Sequence, residues 1–421
     1  MRFSVVNLGC KVNRVESDSF ALKLLNGSAT LSSVEEADVV IINTCAVTAQ
    51  AEKKTRKEVR RVVRANSQAR IVVTGCSSFL HPDYYRDLSD SILVCEKKDV
   101  SFLLERLLLE FSPCVQPELI DTPSPQKVSL SNHTRAEEIF PTRVGLKIQD
   151  GCDHHCSYCI VRVARGRAWS VPYESILKEA QEFERLGVKE IVLTGIDLGS
   201  YSYEEFNLAK LLRGLVGHTS KIRYRISSIE PLSVTSDLLD VIKAFPDQIC
   251  RHFHLPLQSG SDKVLREMNR PYCRADFISL CENIYETMPN FSLSTDIIVG
   301  FPGETEHEFE ETIELVQQIG FSKVHIFRYS MREGTPAAER IDQVPASVKE
   351  QRAHQLREVA AASRNAFAQR LLGTNEDIVV EKQGWGTTES YFKVALSKDY
   401  EVGSRFKACL TEYDSSGIFK V

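Results

Sequence analysis

The chain has 421 residues, of which 43% are hydrophobic and 26% are charged, and its formal net charge at pH 7 is −5. This balance is typical of globular proteins, and it excludes a disordered chain, a collagen-like chain and a small disulfide scaffold. At roughly 150 residues per domain, the length predicts two to four domains. A wholly basic nucleic-acid coat is also excluded, whereas a local basic patch is not.

The sequence contains no apolar run of roughly 18 residues or more, so we expect no membrane-spanning segment. The apolar stretch at the N-terminus is too short for a signal peptide and lacks a small-residue cleavage site, which predicts a cytoplasmic protein. Because the cytosol keeps disulfides reduced, the twelve cysteines are expected to be thiols or metal ligands.

Three short apolar runs near the N-terminus end in the same way: residues 3–8 lead to Cys10, residues 39–42 to Cys45 and residues 71–73 to Cys76. Continuous β-branched runs separated by helical stretches predict an open parallel α/β sheet, which we assign to residues 1–112. Ligands bind beyond the carboxyl ends of such strands, so the three cysteines are expected to converge there. The alternative is three buried structural cysteines.

The rest of the chain divides into four further segments. Residues 113–140 are rich in Pro, Ser, Asn and Thr and are interpreted as a linker. Over residues 141–345, six strand and helix signals alternate, which predicts a partial (βα)6 barrel with its site at the carboxyl ends of the strands. The predicted strands are residues 144–148, 191–194, 223–226, 252–255, 293–299 and 323–329. A capping box opens a connecting helix over residues 346–373, and short alternating runs predict a small all-β module over residues 374–421.

The sharpest motif is the C-x3-C-x2-C loop of Cys152, Cys156 and Cys159, directly after the first predicted barrel strand. Three thiolates on one tight loop can hold three irons of a [4Fe–4S] cube and leave the fourth iron for a small molecule. S-adenosylmethionine chelates such an iron through its amino and carboxylate groups. The alternative is a zinc site completed by His154 or His155.

With further motifs, the chain resembles the radical S-adenosylmethionine methylthiotransferases over essentially its whole length. The motifs that carry the resemblance are residues 9–13, 43–45, 73–76, 149–159, 165–167, 254–261, 296–305 and 328–337, and the tail is similar to the TRAM module of this family. Residues 8–13, 193–201, 225–231 and 327–332 are most similar to the tRNA N6-threonylcarbamoyladenosine branch.

The resemblance implies an α/β enzyme with two [4Fe–4S] clusters and S-adenosylmethionine. Cys152, Cys156 and Cys159 would hold the cluster that cleaves S-adenosylmethionine to methionine and a 5′-deoxyadenosyl radical. A second cluster, tied to sulfur delivery, would be held by Cys10, Cys45 and Cys76. The reaction chemistry belongs to these cofactors, and no further catalytic residue is assigned.

The resemblance also implies contacts to S-adenosylmethionine. Tyr158 would lie against the adenine, and Gly195 and Asp197 would lie at the methionine amino group, with Asp197 accepting a hydrogen bond. The ribose hydroxyls would meet Ser228 and Glu230. Gly300 would allow the backbone to approach the nucleoside closely. For each of these residues, the alternative is ordinary loop packing, capping or a turn.

The predicted reaction is addition of a methylthio group to carbon 2 of N6-threonylcarbamoyladenosine at position 37 of tRNA. The alternatives are isopentenyladenosine in tRNA, an aspartate of a ribosomal protein, and a zinc-stabilised RNA-binding protein without catalysis. The sequence identifies neither the electron donor nor the sulfur donor.

A basic segment between the second and third of these N-terminal cysteines favours RNA. Seven cations face only two acidic residues there, and the cations are Lys53, Lys54, Arg56, Lys57, Arg60, Arg61 and Arg64. We predict phosphate contacts for them, although a solvated helix face is the usual meaning of such a run. The tail, residues 375–421, favours a different substrate. It has six cations and eight acidic residues, and this negative balance would suit a basic protein substrate better than tRNA. Its aromatic residues Trp385, Tyr391 and Phe392 either stack on bases or fill a β core.

Overall fold

The computed structural model describes residues 1–111 and 142–421, which divide into two compact units. The first unit contains residues 1–111 together with residues 163–166, and the second contains residues 142–162 and 167–421. The predicted linker over 113–140 lies outside the described residues, and the predicted domain boundaries remain predictions.

The first unit contains a five-stranded sheet whose strands are all parallel, in the order β2-β1-β3-β4-β5. The strands are β1 (Arg2–Asn7), β2 (Thr30–Leu31), β3 (Val39–Thr44), β4 (Arg70–Gly75) and β5 (Ile92–Val94). The helices are α1 (Lys11–Asn26), α2 (Ala49–Ala65), α3 (Cys76–Leu80), α4 (Pro82–Arg86) and α5 (Val100–Phe111). The predicted open parallel sheet is confirmed, and the short strands β2 and β5 are additions to it.

Both faces of this sheet are covered, as the continuous apolar strands predict. Val39 and Ile41 of β3 pack with α1 and α5 on one face, while Val40 and Ile42 pack with α2 on the other. Successive side chains of a strand point to opposite faces, so a strand buried on both sides needs an apolar residue at every position.

The second unit begins with a partial barrel. Its main strands are β6 (Arg143–Lys147), β9 (Glu190–Thr194), β12 (Arg223–Ile226), β13 (His252–His254), β14 (Ser292–Val299) and β15 (Lys323–Arg328). They form two parallel three-stranded sheets, β12-β9-β6 and β13-β14-β15, which the bridges Tyr224↔Ile249 and Ser228↔His254 join. All six predicted strands are therefore found, with ends that differ by at most one residue. Two small antiparallel pairs complete the strands of this part, namely β7 (Gln149–Asp150) with β8 (Trp169–Ser170) and β10 (Ser202–Tyr203) with β11 (Phe206–Asn207).

Helices alternate with these strands along the chain. They are α6 (Val161–Arg165), α7 (Tyr173–Arg185), α8 (Leu208–His218), α9 (Ser236–Ala244), α10 (Asp262–Glu267), α11 (Arg274–Thr287) and α12 (Glu306–Ile319). The last three residues of α6 belong to the first unit. The long helix α13 (Ala346–Leu371) then leads to the C-terminal module, and the turn after it places Gly373 in the left-handed region, at φ 76°.

The C-terminal module is a six-stranded sheet in the order β19-β16-β17-β18-β21-β20, which confirms the predicted all-β tail. The strands are β16 (Asn375–Lys382), β17 (Trp385–Thr388), β18 (Lys393–Ala395), β19 (Arg405–Cys409), β20 (Glu412–Tyr413) and β21 (Phe419–Lys420). Its core contains Ile378, Phe392, Val394 and Phe419, and Phe367 of α13 packs into it.

A buried ionic network joins this module to the first residues of the barrel strands. Glu190 is completely buried, and its two carboxylate oxygens accept hydrogen bonds from Arg225 Nε at 2.7 Å and Arg223 Nε at 2.9 Å. Arg223 in turn donates to the carbonyl of Asp377 at 2.7 Å, and Arg225 to the carbonyl of Glu389 at 2.7 Å. Buried charges require partners of this kind, so the network fixes the module on the barrel.

Within residues 1–111 and 142–421, no helix is both long enough and apolar enough to cross a membrane.

Candidate functional site

The first thiol triad lies where the sequence predicts it. Cys10, Cys45 and Cys76 follow the carboxyl ends of β1, β3 and β4, which are neighbours in the sheet with β3 in the centre. The chain can turn so tightly after β4 because Gly75 has φ 106°, and a Cβ there would lie 2.5 Å from the backbone nitrogen of Thr44. Only glycine adopts that backbone conformation without strain.

The electrostatics of Cys45 indicate how close the three thiols are. Burial raises the pKa of the Cys45 thiol, a backbone hydrogen bond at Val47 lowers it, and the charges of Cys10 and Cys76 raise it further. Cys45 and Cys76 are buried, whereas Cys10 is exposed. The three sulfurs therefore share one electrostatic environment at this edge of the sheet.

A hydrogen-bond network surrounds this triad. The amide of Asn13 donates to Asn43 Oδ1 at 2.8 Å and to the Thr44 carbonyl at 2.9 Å, and its own oxygen accepts from Arg165 Nη2 at 2.6 Å. Cys10 Sγ lies 3.3 Å from the same oxygen. Arg165 also lies 3.1 Å from Glu16, and its charge lowers the pKa of Cys45 against the larger effect of burial. Arg165 is thus a cation of the first unit, and the sequence motif 165–167 alone does not indicate this position.

The second triad occupies the loop after β7, in the second unit. Burial raises the pKa of Cys152 to about 12 and that of Cys159 to about 11. The charge of Cys156 contributes to both increases. Such thiols stay protonated at neutral pH without a ligand, and a bound metal ion deprotonates a coordinating thiol.

The loop is held from two sides. The backbone of Ser157 donates to the Met268 carbonyl at 3.0 Å, and its carbonyl accepts from Ala337 at 2.9 Å. The amide of Asn269 donates to the His155 carbonyl at 2.9 Å. The loop is therefore fixed before any ligand binds, as a preorganised ligand set requires.

Among the predicted contacts to S-adenosylmethionine, Asp197 has a buried carboxylate oxygen without a hydrogen-bond partner in the described residues. Its carboxylate is 6% exposed, and Oδ2 lies 3.2 Å from His154 Nε2. Oδ1 is buried and has no hydrogen-bond partner among the described residues. Buried polar atoms are nearly always hydrogen-bonded, so this oxygen fits an ammonium donor of a bound ligand beside Cys152.

Gly195 and Asp197 are held by one side chain, that of Gln149. Its Oε1 accepts from the backbone nitrogens of Ile196 at 3.0 Å and Asp197 at 2.9 Å. A Cβ on Gly195 would lie 2.8 Å from the same oxygen, so glycine is needed at this position for packing.

Glu230 has a partner that sequence reasoning did not find. Arg270, whose side chain is 2% exposed, forms an ion pair with Glu230 and donates a hydrogen bond to Cys156 Sγ at 3.2 Å. Burial raises the pKa of Glu230, and the charge of Arg270 lowers it. A single arginine before a proline carries no sequence signal, so only the fold brings Arg270 to the triad.

The remaining predicted contacts differ in what surrounds them. Tyr158 packs against an apolar cluster that contains Val264, Met268, Phe301, Tyr329 and Ala337, and its pKa is raised, mainly by burial.

Two predicted contacts lie at strand ends. Ser228 pairs with His254 in the bridge between β12 and β13, at the carboxyl end of both strands. A Cβ added to Gly300 would lie 2.3 Å from Cγ of Lys349. The absence of a side chain at Gly300 therefore makes room for Lys349. The backbone approach to a nucleoside at Gly300 therefore stays a prediction.

A structural zinc site needs four ligands around one ion. Among residues 1–111 and 142–421, no three His, Cys, Asp or Glu side chains are grouped so that they could hold one metal ion. A [4Fe–4S] cube instead takes each thiolate on a different iron. Two sets of three thiols, one with an unpartnered carboxylate oxygen beside it, fit a cube with one open iron better than a single zinc ion.

The basic segment forms the exposed side of α2, and its cations fall into two groups. Arg56 forms an ion pair with Glu52 and lies 4.4 Å above the Tyr84 ring, and Arg61 pairs with Glu58 at 2.8 Å. The other five cations form no ion pair within the described residues, and they are Lys53, Lys54, Lys57, Arg60 and Arg64. These five are exposed and remain the candidates for phosphate contact.

The acidic tail has a structural explanation. Four of its eight acidic residues face cations of the barrel instead of solvent. The pairs are Glu376 and Glu389 with Arg251, Asp377 with Arg223, and Glu381 with Arg143. The negative balance of the tail therefore reflects internal ion pairs.

The tail aromatics do not share one role. Phe392 belongs to the core of the module. The ring of Tyr391 lies 4.6 Å from the guanidinium of Arg225, inside the ionic network. Trp385 is half-buried near Lys382.

Comparison with known proteins agrees with this geometry. Residues 146–316 match the Radical SAM superfamily, and residues 2–93 match the uncharacterized protein family UPF0004. The chain is similar to the threonylcarbamoyladenosine tRNA methylthiotransferase MtaB of Thermotoga maritima, with 37% identity over 90% of this chain and 86% of that protein. It is also similar to the tRNA-2-methylthio-N(6)-dimethylallyladenosine synthase of Endomicrobium trichonymphae, with 33% identity over 91% of this chain and 89% of that protein.

Among solved structures, the radical S-adenosylmethionine methyltransferase TsrM of Kitasatospora setae superposes with a TM-score of 0.55 and 14% identity, over 80% of this chain and 77% of that chain. At this identity the likeness establishes the fold alone. The relatives that share more than 30% identity over most of their length establish the family. The chain therefore belongs to the radical S-adenosylmethionine tRNA methylthiotransferases.

Proposed function

We propose that this protein adds a methylthio group to carbon 2 of N6-threonylcarbamoyladenosine at position 37 of tRNA. The observation that carries the proposal is the presence of two thiol triads in a chain whose relatives are tRNA methylthiotransferases. The first triad lies at the carboxyl ends of parallel strands, where α/β proteins place their ligands. The second triad lies on the loop after β7, which follows the first barrel strand β6.

Each triad would hold one cluster. Cys152, Cys156 and Cys159 would hold the cluster that binds S-adenosylmethionine, and Cys10, Cys45 and Cys76 would hold the second cluster. When bound, the first cluster and S-adenosylmethionine supply the electron and the radical that activate a C–H bond, and the second cluster supplies the sulfur.

The protein's own contribution is to bind and orient. The unpartnered oxygen of Asp197 would accept a hydrogen bond from the amino group of S-adenosylmethionine, and the apolar cluster around Tyr158 would accommodate its adenine. Arg270 holds Glu230 and donates to Cys156 Sγ, so it links the cofactor pocket to the cluster ligands. Orientation of this kind is the main protein contribution in cofactor enzymes.

Several observations support tRNA, and threonylcarbamoyladenosine in particular. Relatives from four bacteria carry the name threonylcarbamoyladenosine tRNA methylthiotransferase, at 32–37% identity over at least 90% of this chain. The five cations of α2 that form no ion pair within the described part of the chain offer a phosphate-binding surface. The acidic tail no longer favours a basic protein substrate, because four of its eight acidic residues are paired with arginines of the barrel. A tRNA substrate is also consistent with the cytoplasmic location that the sequence predicts.

The substrate is tested by mass spectrometry of nucleosides from tRNA of cells that lack this protein. We expect loss of 2-methylthio-N6-threonylcarbamoyladenosine and accumulation of the unmodified nucleoside. An unchanged profile of threonylcarbamoyladenosine nucleosides would contradict the proposal.

Dimethylallyladenosine is a second candidate, because relatives at 33–36% identity are named as tRNA-2-methylthio-N(6)-dimethylallyladenosine synthases. The same measurement separates the two candidates. Loss of the methylthio form of dimethylallyladenosine alone would favour this second candidate.

The two cluster assignments are tested with cysteine variants of the reconstituted full chain. Cys156→Ala should abolish cleavage of S-adenosylmethionine to 5′-deoxyadenosine, whereas Cys45→Ala should retain cleavage and lose methylthio transfer. Cys409→Ala is the matched control, because Cys409 is an exposed cysteine of the C-terminal module. Product formation by Cys45→Ala at the parent rate would show that the second assignment is wrong.

The basic surface is tested by salt-dependent tRNA binding. Replacing Lys53, Lys54 and Lys57 by Ala should weaken binding and reduce the slope of log K against log[salt] by about 2 to 3, if each lysine neutralises one phosphate. Arg61→Ala is the control, because Arg61 is already paired with Glu58. An unchanged slope in the triple variant would remove α2 from the RNA interface.

A further inference from the structure

Lys97 is a charged residue beside the first triad that no sequence motif indicates. It follows β5, and its Nζ lies 3.7 Å from Cys76 Sγ and 3.2 Å from Glu16 Oε2. The side chain is 21% exposed, so most of it is removed from water. An ammonium at this distance donates a hydrogen bond to the sulfur.

The neighbouring lysine provides a contrast. Lys98 is 75% exposed, and its amine pairs with Glu96 at 2.9 Å. The two residues have the same chemistry and adjacent positions, so only the direction of the side chain distinguishes them. The backbone after β5 directs the Lys97 side chain toward Cys76 and the Lys98 side chain toward solvent.

A carboxylate beside the triad is paired with two cations. Glu16 is nearly buried and is shared by Lys97 and by Arg165, which lies 3.1 Å from it. Two cations thus flank one carboxylate next to three thiols. Charge-assisted hydrogen bonds are about twice as strong as neutral ones and act over a short range, so Lys97 would affect Cys76 more directly than a surface lysine could.

We propose that Lys97 is a positioning residue for the second cluster, which raises the reduction potential of that cluster by donating a charged hydrogen bond to the Cys76 thiolate. Hydrogen bonds to the ligand sulfurs and nearby charge are among the features that set the potentials of iron–sulfur clusters. The same ammonium would stabilise negative charge on sulfur carried by this cluster. This inference rests on the proposed function, because it requires a cluster on Cys10, Cys45 and Cys76.

The test uses the full chain with Cys152, Cys156 and Cys159 replaced by Ala, so that after anaerobic reconstitution only the second cluster is present. Iron and sulfide are counted per chain, and the midpoint potential is measured by an EPR-monitored redox titration. Lys97→Met is compared with Lys98→Met, the matched control, and with Lys97→Arg, which restores a charged donor.

We expect Lys97→Met to retain about four irons and to lower the midpoint potential so that the ratio of reduced to oxidised cluster falls at least tenfold at a fixed potential, which is 59 mV for a one-electron couple. Lys98→Met should keep the parent potential, and Lys97→Arg should lie near it. A purely structural role of Lys97 would not move the potential in this pattern.

Two different failures are distinguishable. If the parent of this series binds no iron and sulfide, the cluster assignment in the proposed function is wrong. If the parent binds a cluster and Lys97→Met has the same potential, the role of Lys97 is refuted. If Lys97→Met loses its cluster, Lys97→Gln is titrated instead, and loss of the cluster there or a parent-like potential also refutes the tuning role.

Discussion

Glu190 offers the sharpest test of how the barrel and the C-terminal module are held together. Its carboxylate is 0% exposed and lies among three guanidinium groups, those of Arg223, Arg225 and Arg143. Although burial raises the pKa of Glu190, the charges of Arg225, Arg223 and Arg143 outweigh it and hold the pKa well below its usual range. The carboxylate is therefore ionised at neutral pH and neutralises a cluster of buried cations.

Glu190→Gln removes the charge and nearly preserves the shape. Arg223 and Arg225, each 1% exposed, are left as buried cations with one less partner. Removing one partner of a buried ion pair costs about 3–5 kcal/mol. The glutamine retains one acceptor oxygen, so we expect a loss near the lower end, about 3 kcal/mol of unfolding free energy.

Urea unfolding followed by tryptophan fluorescence measures this loss. The chain has two tryptophans, Trp169 and Trp385, and both belong to the second unit, so the signal reports the part that contains the network. Glu182→Gln is the control, because Glu182 pairs with Arg185 on the exposed side of α7 and should cost less than about 1 kcal/mol. A loss for Glu190→Gln as small as that of the control would refute the reasoning.

The pH dependence has a definite sign. The folded pKa of Glu190 lies below its ordinary value of 4.5, so the unfolded chain binds more protons in the window between the two values. The contribution of Glu190 is thus fully present above that ordinary value and is lost as the pH falls toward the folded pKa. The difference between parent and Glu190→Gln should be constant near pH 7 and should shrink below about pH 4.5.

Three further predictions concern single contacts. Arg270→Met should weaken equilibrium binding of S-adenosylmethionine to the reconstituted chain at least tenfold, about 1.4 kcal/mol, because Glu230 and Cys156 lose their cation. An unchanged Kd would contradict this prediction. Tyr391 has φ 69°, so Tyr391→Ala should be less stable than Tyr391→Gly by about 1 kcal/mol in urea unfolding, and equal stabilities would contradict the backbone argument. Thr48→Ala should cost about 1 kcal/mol in stability of the first unit by circular dichroism, because the hydroxyl caps α2 at 3.1 Å, and a loss below about 0.3 kcal/mol would contradict it.

Sequence pattern was sufficient for the positions of the main strands, and the cluster-binding role of both cysteine sets stays a prediction. A buried parallel strand needs an apolar residue at every position, and β3 and β4 carry such runs directly before Cys45 and Cys76. The strands β2 and β5 were not predicted, because two or three residues carry no readable period.

Charge was the property that sequence predicted least well. The predicted second barrel strand begins at residue 191, whereas β9 begins at Glu190, where three arginines pair with the buried carboxylate. The acidic tail seemed to favour a basic partner, but half of its acidic residues face barrel arginines. Composition gives only the number of charged residues, whereas the fold decides which of them are paired inside the protein and which are exposed to a binding partner.

The sequence by itself therefore determined the fold class and the family, because these depend on spacing and on local patterns, and it predicts the two cysteine sets. Only the tertiary structure decided which single side chains act on them. Arg270 is 114 residues from Cys156 and Lys97 is 21 residues from Cys76, and both meet their sulfur through folding alone. An isolated charged residue has no period or spacing that would indicate its partner, so its role depends on the packing of the elements around it.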